Sequence, residues 1–398
     1  MDPVLTDEQR SIADAARRFA AERIAPGYQD RDRTGVLDRA LVREMGALGL
    51  IAPELPDALG GHGLDSTTSG LITEAVAYAD INVAYCQILA SLDGKIIAEH
   101  ARPDLAREWI ERLVAGEAII ALGLTEPRGG SDAANLSLSA RRMGDSYILR
   151  GEKSSISMAD QADAIVLFAR TGSAEDRARG VSAFLVPMST PGITAKRYND
   201  LGSRAIGRSS VFFDDVEVPA AWRLAEEGAG FVQVMQGFDY SRALIGLQVL
   251  GSAQASLDET WAYIKEREAF GAPLAVNQGV THPLAEAETL VAAARSLCYL
   301  TLRLKDAGDR HTAEAAMCKW LAPKTAVDVI HQCLITHGHY GWSLDLPHQQ
   351  RLRDCMGLEI GDGTAQIMKT IIARPREDRH APALISALRP LTRAAVAR

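Results

Sequence analysis

The chain has 398 residues, 47 % of them hydrophobic and 24 % charged, with a formal net charge of −8 and a pI near 5.7. That length suggests two or three domains around a large core, and the acidic balance excludes the basic footprint of a usual nucleic-acid binder. No run of roughly 18 apolar residues could span a membrane, and the opening MDPVLTDEQR lacks the basic and apolar regions of a signal peptide, so the expectation is a cytoplasmic enzyme. From the N-terminus, Thr6-x-x-Gln9 reads as a capping box before Ile12, Ala15, Ala16, Phe19 and Ala20, which share one helical face. Pro26-Gly27 breaks that segment, and a second amphipathic helix covers Leu37 to Leu50. The loop Pro53 to Leu64 is rich in helix breakers, after which helices are expected over 66–84 and 90–115. Asp93-Gly94 stands inside the last of these. It reads either as a helix-end charge or cap, or as a carboxylate facing a ligand pocket. Residues 1–118 thus form an N-terminal helical domain.

From about Ile119 the pattern changes to short β-type runs at Tyr147–Leu149, Ile165–Ala169, Ser182–Val186, Val211–Phe213 and Val216–Val218. Gly144-Asp145, Thr171-Gly172, Pro191-Gly192 and Asp214-Asp215 punctuate them as turns. Regular short strands of this kind predict a small β-barrel or sandwich over 119–229. There is no G-x-G-x-x-G and no P-loop, so neither a Rossmann dinucleotide site nor a nucleotide hydrolase site is supported. ALGLTEPRGGSD (121–132) and GEKSSISMAD (151–160) carry polar groups beside apolar strands, and each alone reads as a turn-flanked strand with satisfied hydroxyls.

Helices return over 230–376: one long run from Gly230 to Lys265, a break at Gly271 and Pro273, then 285–304 and 313–335, which together predict a C-terminal four-helix bundle. His331, His337, His339 and His348 lack the spacing of a zinc site on one helix face, so no metal is expected. The five cysteines are scattered without a C-x-x-C and read as buried thiols of a reducing compartment. In Arg353–Arg374, Gly361-Asp362-Gly363-Thr364 interrupts a helix-like pattern. The glycines permit a tight turn and a close ligand approach, and Thr364 can cap the helix that follows. Asp362 is then either a solvated turn residue or a carboxylate presented to a ligand. Residues 377–398 read as a loosely held tail.

Five stretches in register make the chain resemble the acyl-CoA dehydrogenase family over residues 4–376. They are Thr125-Glu126-Pro127 with Gly130-Ser131-Asp132, Gly151-x-Lys153 with Ile156-Ser157, Arg267-x-x-Phe270-Gly271 with Gln278, His337-Gly338 with Tyr340-Gly341, and Arg353-Asp354 before the 361–364 loop. The resemblance implies a mainly α protein with a central β domain, FAD as cofactor and an acyl-CoA thioester as substrate. It further implies an electron-transferring flavoprotein as electron acceptor and a homotetramer. It places Leu122, Leu124, Thr125, Gly130, Ser131, Ser155 and Ser157 along the FAD, with Ser131 also near the CoA phosphopantetheine. Phe238, Asp239, Arg242 and Gly363 fall on the substrate side. Arg267, Phe270, Gln278, His337 and Gly338 should meet a neighbouring subunit's FAD, and Thr364 and Gln366 its adenine half.

In the family reaction a carboxylate removes the proton α to the thioester carbonyl while the β-hydrogen leaves as hydride to the flavin. Here Asp362 holds the position where common members have Glu, Ser155 replaces a Trp, and Ile335 and His339 replace a Gln and a Gly. The shorter base and the opened wall resemble members acting on alicyclic acyl-CoA esters, in which a second Asp serves the ring chemistry, and Asp93 is the candidate for it. Two alternatives stand beside an alicyclic or α-branched acyl-CoA dehydrogenase. One is a flavin oxidase or oxygenase on the same fold, and the other is a binding protein without catalysis.

Overall fold

The computed structural model describes residues 5–377, so the 377–398 tail expectation lies outside them apart from its first residue. Helix α1 (Asp7–Phe19) starts at the predicted capping box: Gln9 N–H donates to Thr6 Oγ1 and Thr6 N–H donates to Gln9 Oε1, both at 3.1 Å. After a wider turn at Ala20–Ile24 and Pro26, the chain forms α2 (Tyr28–Thr34) and α3 (Arg39–Ala47). Three longer helices follow, α4 (Ser66–Ala79), α5 (Ile81–His100) and α6 (Pro103–Val114). The sequence places a break between 84 and 90, but the chain breaks at Asp80. The Asp80 carboxylate accepts the Asn82 N–H at 2.7 Å and so caps α5. It also pairs with Arg31 at 2.6 Å. An N-cap carboxylate satisfying orphan amides, and neutralised by a buried guanidinium, outweighs an uninterrupted apolar pattern.

Eight strands make the middle region: β1 (Ile120–Gly123), β2 (Ser139–Met143), β3 (Ser146–Ser157), β4 (Ala164–Arg170), β5 (Val181–Pro187), β6 (Ile193–Arg197), β7 (Arg208–Pro219) and β8 (Arg223–Leu224). They order as β6-β7-β3-β2-β4-β5-β8, with β1 parallel to β4. The predicted barrel is not closed among the described residues. The path ends at β6 and β8, and β2 joins β4 through one residue pair, Ser139 with Arg170. Asp214-Asp215 is a bulge inside β7 and not a turn: Val216 pairs with Leu149 and Phe213 with Gly151, and Asp215 takes φ 49° to absorb the extra residue. Tyr147, Leu149, Phe184, Val211 and Val218 belong to one buried core of this region.

The last third is α7 (Gly230–Glu266), a short hairpin of β9 (Glu268–Ala269) and β10 (Ala272–Pro273), α8 (Gln278–Asp306), α9 (Thr312–Thr336), α10 (His348–Gly357) and α11 (Ala365–Glu377). Helix α7 runs through the centre, packing on α4, α5, α8 and α9, while α11 lies on α9. Leu244, Leu247, Val291, Ala326 and Ile330 are buried in this bundle, and each of the leucine, valine and isoleucine side chains contributes about 1.5–3 kcal/mol. All five cysteines are free and buried. No helix of the described residues is long and apolar enough to cross a membrane.

The three regions meet at Asp354 of α10. Its carboxylate accepts from Ser203 N–H at 2.6 Å, Asn82 Nδ2 at 2.9 Å and the Tyr28 hydroxyl at 3.1 Å. Beside it Arg353 pairs with Asp32 at 2.7 Å and donates to the Leu201 carbonyl. These bonds fix α10, and with it the start of the loop that reaches Asp362.

Candidate active site

A cavity of about 1230 Å³ opens where α5, α7, the ends of β1 and β3, and the 358–364 loop converge. Its walls include Leu122, Leu124, Thr125, Gly130, Ser131, Ser155, Ser157, Phe238, Asp239, Arg242, Asp362, Gly363 and Thr364. Stretches far apart in sequence are thus brought to one space.

The loop geometry explains how Asp362 is presented. Asp362 sits at φ 54°, a left-handed conformation that a short polar side chain tolerates, and Gly363 at φ 105°. The φ of Gly363 is what calls for glycine there, since the nearest obstacle to a Cβ is only the flexible end of Met368, 2.4 Å away. Thr364 Oγ1 lies 3.5 Å from the Ile367 N–H at the start of α11, and the Thr364 carbonyl accepts the Met368 N–H at 3.0 Å. Burial pushes the Asp362 pKa above its ordinary value, while the cations Lys319 and Arg242 pull it back.

Opposite, the wall from β1 and β3 is anchored by a buried ion pair. Lys153 Nζ donates to Glu126 Oε1 at 2.8 Å and to the Leu124 carbonyl at 3.0 Å, with Lys153 fully buried. Glu126 also accepts from Ser137 N–H and Leu138 N–H at 2.7 and 2.9 Å. Ser154 N–H donates to the Thr125 carbonyl at 2.9 Å. The backbone on both sides of Thr125 is therefore held at a fixed place on the wall. Ser155 is exposed with φ 58°, and its N–H reaches the Tyr198 hydroxyl at 3.4 Å. On α7, Arg242 donates to Asp239 at 3.3 Å, and Asp239 accepts the Thr312 hydroxyl at 2.6 Å.

Asp93 lies in the middle of α5, not at a helix end. It is fully buried and is not on the cavity wall: Leu89, one turn earlier, and Leu92 are. Gly94 beside it is required by packing, since a Cβ would stand 2.6 Å from Leu55 Cδ1. Neither Asp93 oxygen has a hydrogen-bond partner among the described residues. Burial, and secondarily the charge of Asp362, hold its pKa well above the ordinary carboxylate value.

The remaining residues expected at a cofactor do not line this cavity. Phe270 is 106 % exposed at the β9–β10 turn, and Gln278 starts α8. His337 stacks on Tyr263 at 4.2 Å, one turn before Arg267, and hydrogen-bonds the Cys333 carbonyl at 2.9 Å. Gly338 and Gln366 are exposed elsewhere. No metal-binding cluster occurs among the described residues. His348, tilted against His337 at 4.3 Å, has its pKa pushed down to about 3 by burial. Sequence reading missed Tyr85 and the Arg208–Asp200 pair on the cavity wall, the latter closed at 2.6 Å. The Tyr85 hydroxyl stands by Ser157, and burial and the Asp362 charge push its pKa up. A tyrosine one turn before Leu89 in an apolar helix carries no signal that separates it from core.

The space suits a flavin lying against a thioester. It exceeds the roughly 300–1,000 Å³ of single-ligand sites, has hydroxyls at Thr125 and Ser157 on one wall and a carboxylate on the other. Ser241 Oγ, Arg242 Nε and Gln248 Oε1, on residues of the wall, are buried without hydrogen-bond partners among the described residues. Such groups are ordinarily satisfied by a ligand or water.

The N-terminal, middle and C-terminal domain models of acyl-CoA dehydrogenase match residues 6–117, 121–216 and 228–375. The mitochondrial short-chain specific acyl-CoA dehydrogenase of Mus musculus is 35 % identical over 374 residues, covering 93 % of this chain and 90 % of the relative. The benzylmalonyl-CoA dehydrogenase of Aromatoleum aromaticum is 34 % identical over 377 residues, 94 % and 99 % of the two chains. Among solved structures, the butyryl-CoA dehydrogenase of Megasphaera elsdenii superposes with a TM-score of 0.91 at 31 % identity, covering 95 % of this chain and 100 % of the other. With three domain models matched in order and a cavity whose walls fit flavin and thioester, the chain belongs to the acyl-CoA dehydrogenases, FAD-dependent oxidoreductases that dehydrogenate acyl-CoA thioesters.

Proposed function

We propose that the acyl group is alicyclic or branched at the α-carbon, and that Asp362 is the base that removes its α-proton. The observation that carries this reading is an Asp, not a longer acid, at the tip of the 361–364 turn, facing a wall that has Ser155 where a large ring would fill space. One methylene fewer withdraws the carboxylate by about 1.5 Å, a gap that a substituted α-carbon fills and a straight chain does not. Likeness to a benzylmalonyl-CoA dehydrogenase supports an acyl group wider than a straight chain.

In this reading Thr125 and Ser157 hold the flavin ring by polar contacts, and Leu122 and Leu124 supply its apolar floor. Bound FAD supplies the acceptor for the β-hydrogen. Phe238, Asp239 and Arg242 bind the CoA portion, and the Asp362 backbone N–H helps polarise the thioester oxygen as negative charge develops there. The exposed Phe270, Gln278 and the His337–Gly338 turn form the face on which a second subunit completes its own flavin site, in a homotetramer. An electron-transferring flavoprotein takes the electrons. The open wall at Ser155 favours one competing reading, direct reaction with oxygen.

Anaerobic turnover of straight-chain and ring acyl-CoA esters tests the proposal. Ring esters should exceed straight chains in kcat/KM by about 10-fold or more, the scale on which pocket fit discriminates. Equal turnover would remove the alicyclic assignment, and reoxidation by air at the turnover rate would replace it with an oxidase.

Asp93, seated behind Leu89 and Leu92, does not reach the substrate in this reading, so it is not the second acid of the ring chemistry. Asp93→Asn should change turnover of ring and straight-chain esters alike by less than a few-fold. Because its folded pKa is raised, the native state holds the proton longer than the unfolded chain, so stability falls as pH rises toward that pKa. Asp93→Asn should flatten this loss in melting curves taken upward from about pH 4, the ordinary carboxylate range, and an unchanged slope would mean that the acid's pKa is not raised.

A further inference from the structure

A buried lysine sits inside the loop that carries Asp362. Lys319, on α9, is 1 % exposed. Its ammonium donates to the Leu358 carbonyl at 2.6 Å and to the Gly363 carbonyl at 3.3 Å. Those carbonyls flank the Glu359–Asp362 segment, so the loop closes around the cation with Asp362 at its tip. Nothing in the reaction calls for a lysine there. A buried ammonium is costly unless oxygens and an opposite charge compensate it.

We propose that Lys319 is a positioning residue for Asp362: it gathers the carbonyls on either side of the base and supplies the counter-charge that keeps the carboxylate ionised in a desolvated wall. This rests on the reading of Asp362 as the base. The charges around Asp362 support the assignment. Arg242 faces it from α7 but is already hydrogen-bonded to Asp239. From α5, Tyr85 senses its charge and is neutral at neutral pH, and Asp93 has its own pKa raised by burial and by the Asp362 charge. From α9 comes Lys319, the largest favourable charge on Asp362, with Glu359 of the loop as its second acidic neighbour. Burial pulls the Lys319 pKa down to about 8, against the upward pull of Asp362. Its ammonium persists at neutral pH and is lost just above it. When it goes, Asp362 loses its counter-ion, and the two carbonyls keep only the weaker N–H bonds of an uncharged amine.

The test is kcat/KM and the anaerobic rate of flavin reduction by substrate across neutral and alkaline pH, for wild type, Lys319→Arg and Lys319→Met. Wild type should show a basic limb near 8. Lys319→Arg should lose that limb, because a guanidinium does not deprotonate in this range. Lys319→Met should fall about 10-fold or more at neutral pH, in kcat more than in KM, and lack the limb near 8, so that its profile converges with wild type in the alkaline arm, where the wild-type lysine is itself uncharged. A limb that stays near 8 in Lys319→Arg overturns the proposal; it would then belong to another group, such as Lys153. A Lys319→Met profile that runs parallel below wild type at every pH also overturns it, since that is what a merely structural lysine would give. Should Lys319→Met not fold by circular dichroism, the limb in Lys319→Arg decides alone. Asp362→Asn separates the two readings. If it reduces the flavin at the wild-type rate, the base assignment fails. If it is inactive while both lysine variants keep the wild-type profile, only the role of Lys319 fails.

Discussion

Asp362→Asn should leave a folded yellow protein whose flavin is reduced by substrate about 10²–10⁴-fold more slowly, the range that a positioned general base supplies. The amide keeps the size of the side chain and its left-handed backbone, which Asn adopts as readily as Asp, so the loop and the cap on α11 should survive. Burial opposes the ionisation of this carboxylate, but the carboxylate also compensates the buried Lys319 ammonium, so Tm should change by only a few degrees. Single-turnover bleaching in a stopped-flow instrument measures the chemical step, and a binding titration with substrate should change by less than a few-fold. A companion variant sharpens the result. Asp362→Glu extends the carboxylate by about 1.5 Å, and should gain rate on straight-chain esters while losing it on ring esters. Wild-type bleaching in Asp362→Asn would remove the residue from the chemistry. A uniform loss on every ester in Asp362→Glu would show that reach does not set the preference.

Much of this arrangement can be read from residues alone, for reasons that differ by region. The glycine-flanked Asp362 is visible because a turn inside an amphipathic pattern has a backbone cause, and the structure gives Asp362 and Gly363 the positive φ that such a turn requires. The Thr6–Gln9 cap is local chemistry and forms as predicted. Long-range features are another matter. The break at Asp80 depends on Arg31, 49 residues away, to neutralise a capping carboxylate. Asp214-Asp215 carries a turn's composition, yet pairing of β7 with β3 on both sides turns it into a bulge. Whether the sheet closes depends on edges meeting in space, which alternation along a strand does not encode. At the site, Tyr85 and Lys319 look like core residues of their helices, and only the packing of α5 and α9 against the 358–364 loop sets them beside Asp362. Asp93 was singled out as odd, but its seat behind Leu89 and Leu92 rather than on the wall is a matter of helix rotation.

Lys153→Met should have the largest effect on stability of any single change near the cavity. The ammonium is fully buried between Glu126 and the Leu124 carbonyl. Its pKa is pulled down to about 8 by burial, while Glu126 is held below its ordinary value with the lysine's charge as the strongest favourable influence. Removing one partner leaves the other charge uncompensated, which costs about 3–5 kcal/mol. At an unfolding entropy of about 2.1 cal/mol/K per residue, that lowers Tm by roughly 4–6 °C. The loss should be local before it is global, because the pair fixes the backbone around Thr125. Purified Lys153→Met should therefore retain less FAD after gel filtration and show a perturbed flavin absorption band. Adding Glu126→Gln to it removes the stranded charge and keeps an acceptor for one of the two amides, since Ser137 N–H bonds Oε2 and Leu138 N–H bonds Oε1. The double variant should recover a good part of the lost Tm, and the deviation from additivity measures the pair. Losses that simply add would mean the two side chains act independently, and that the ordered Thr125 wall has another support. Recovered Tm without recovered FAD would assign the lysine a direct part in shaping the flavin wall, beyond cancelling a charge.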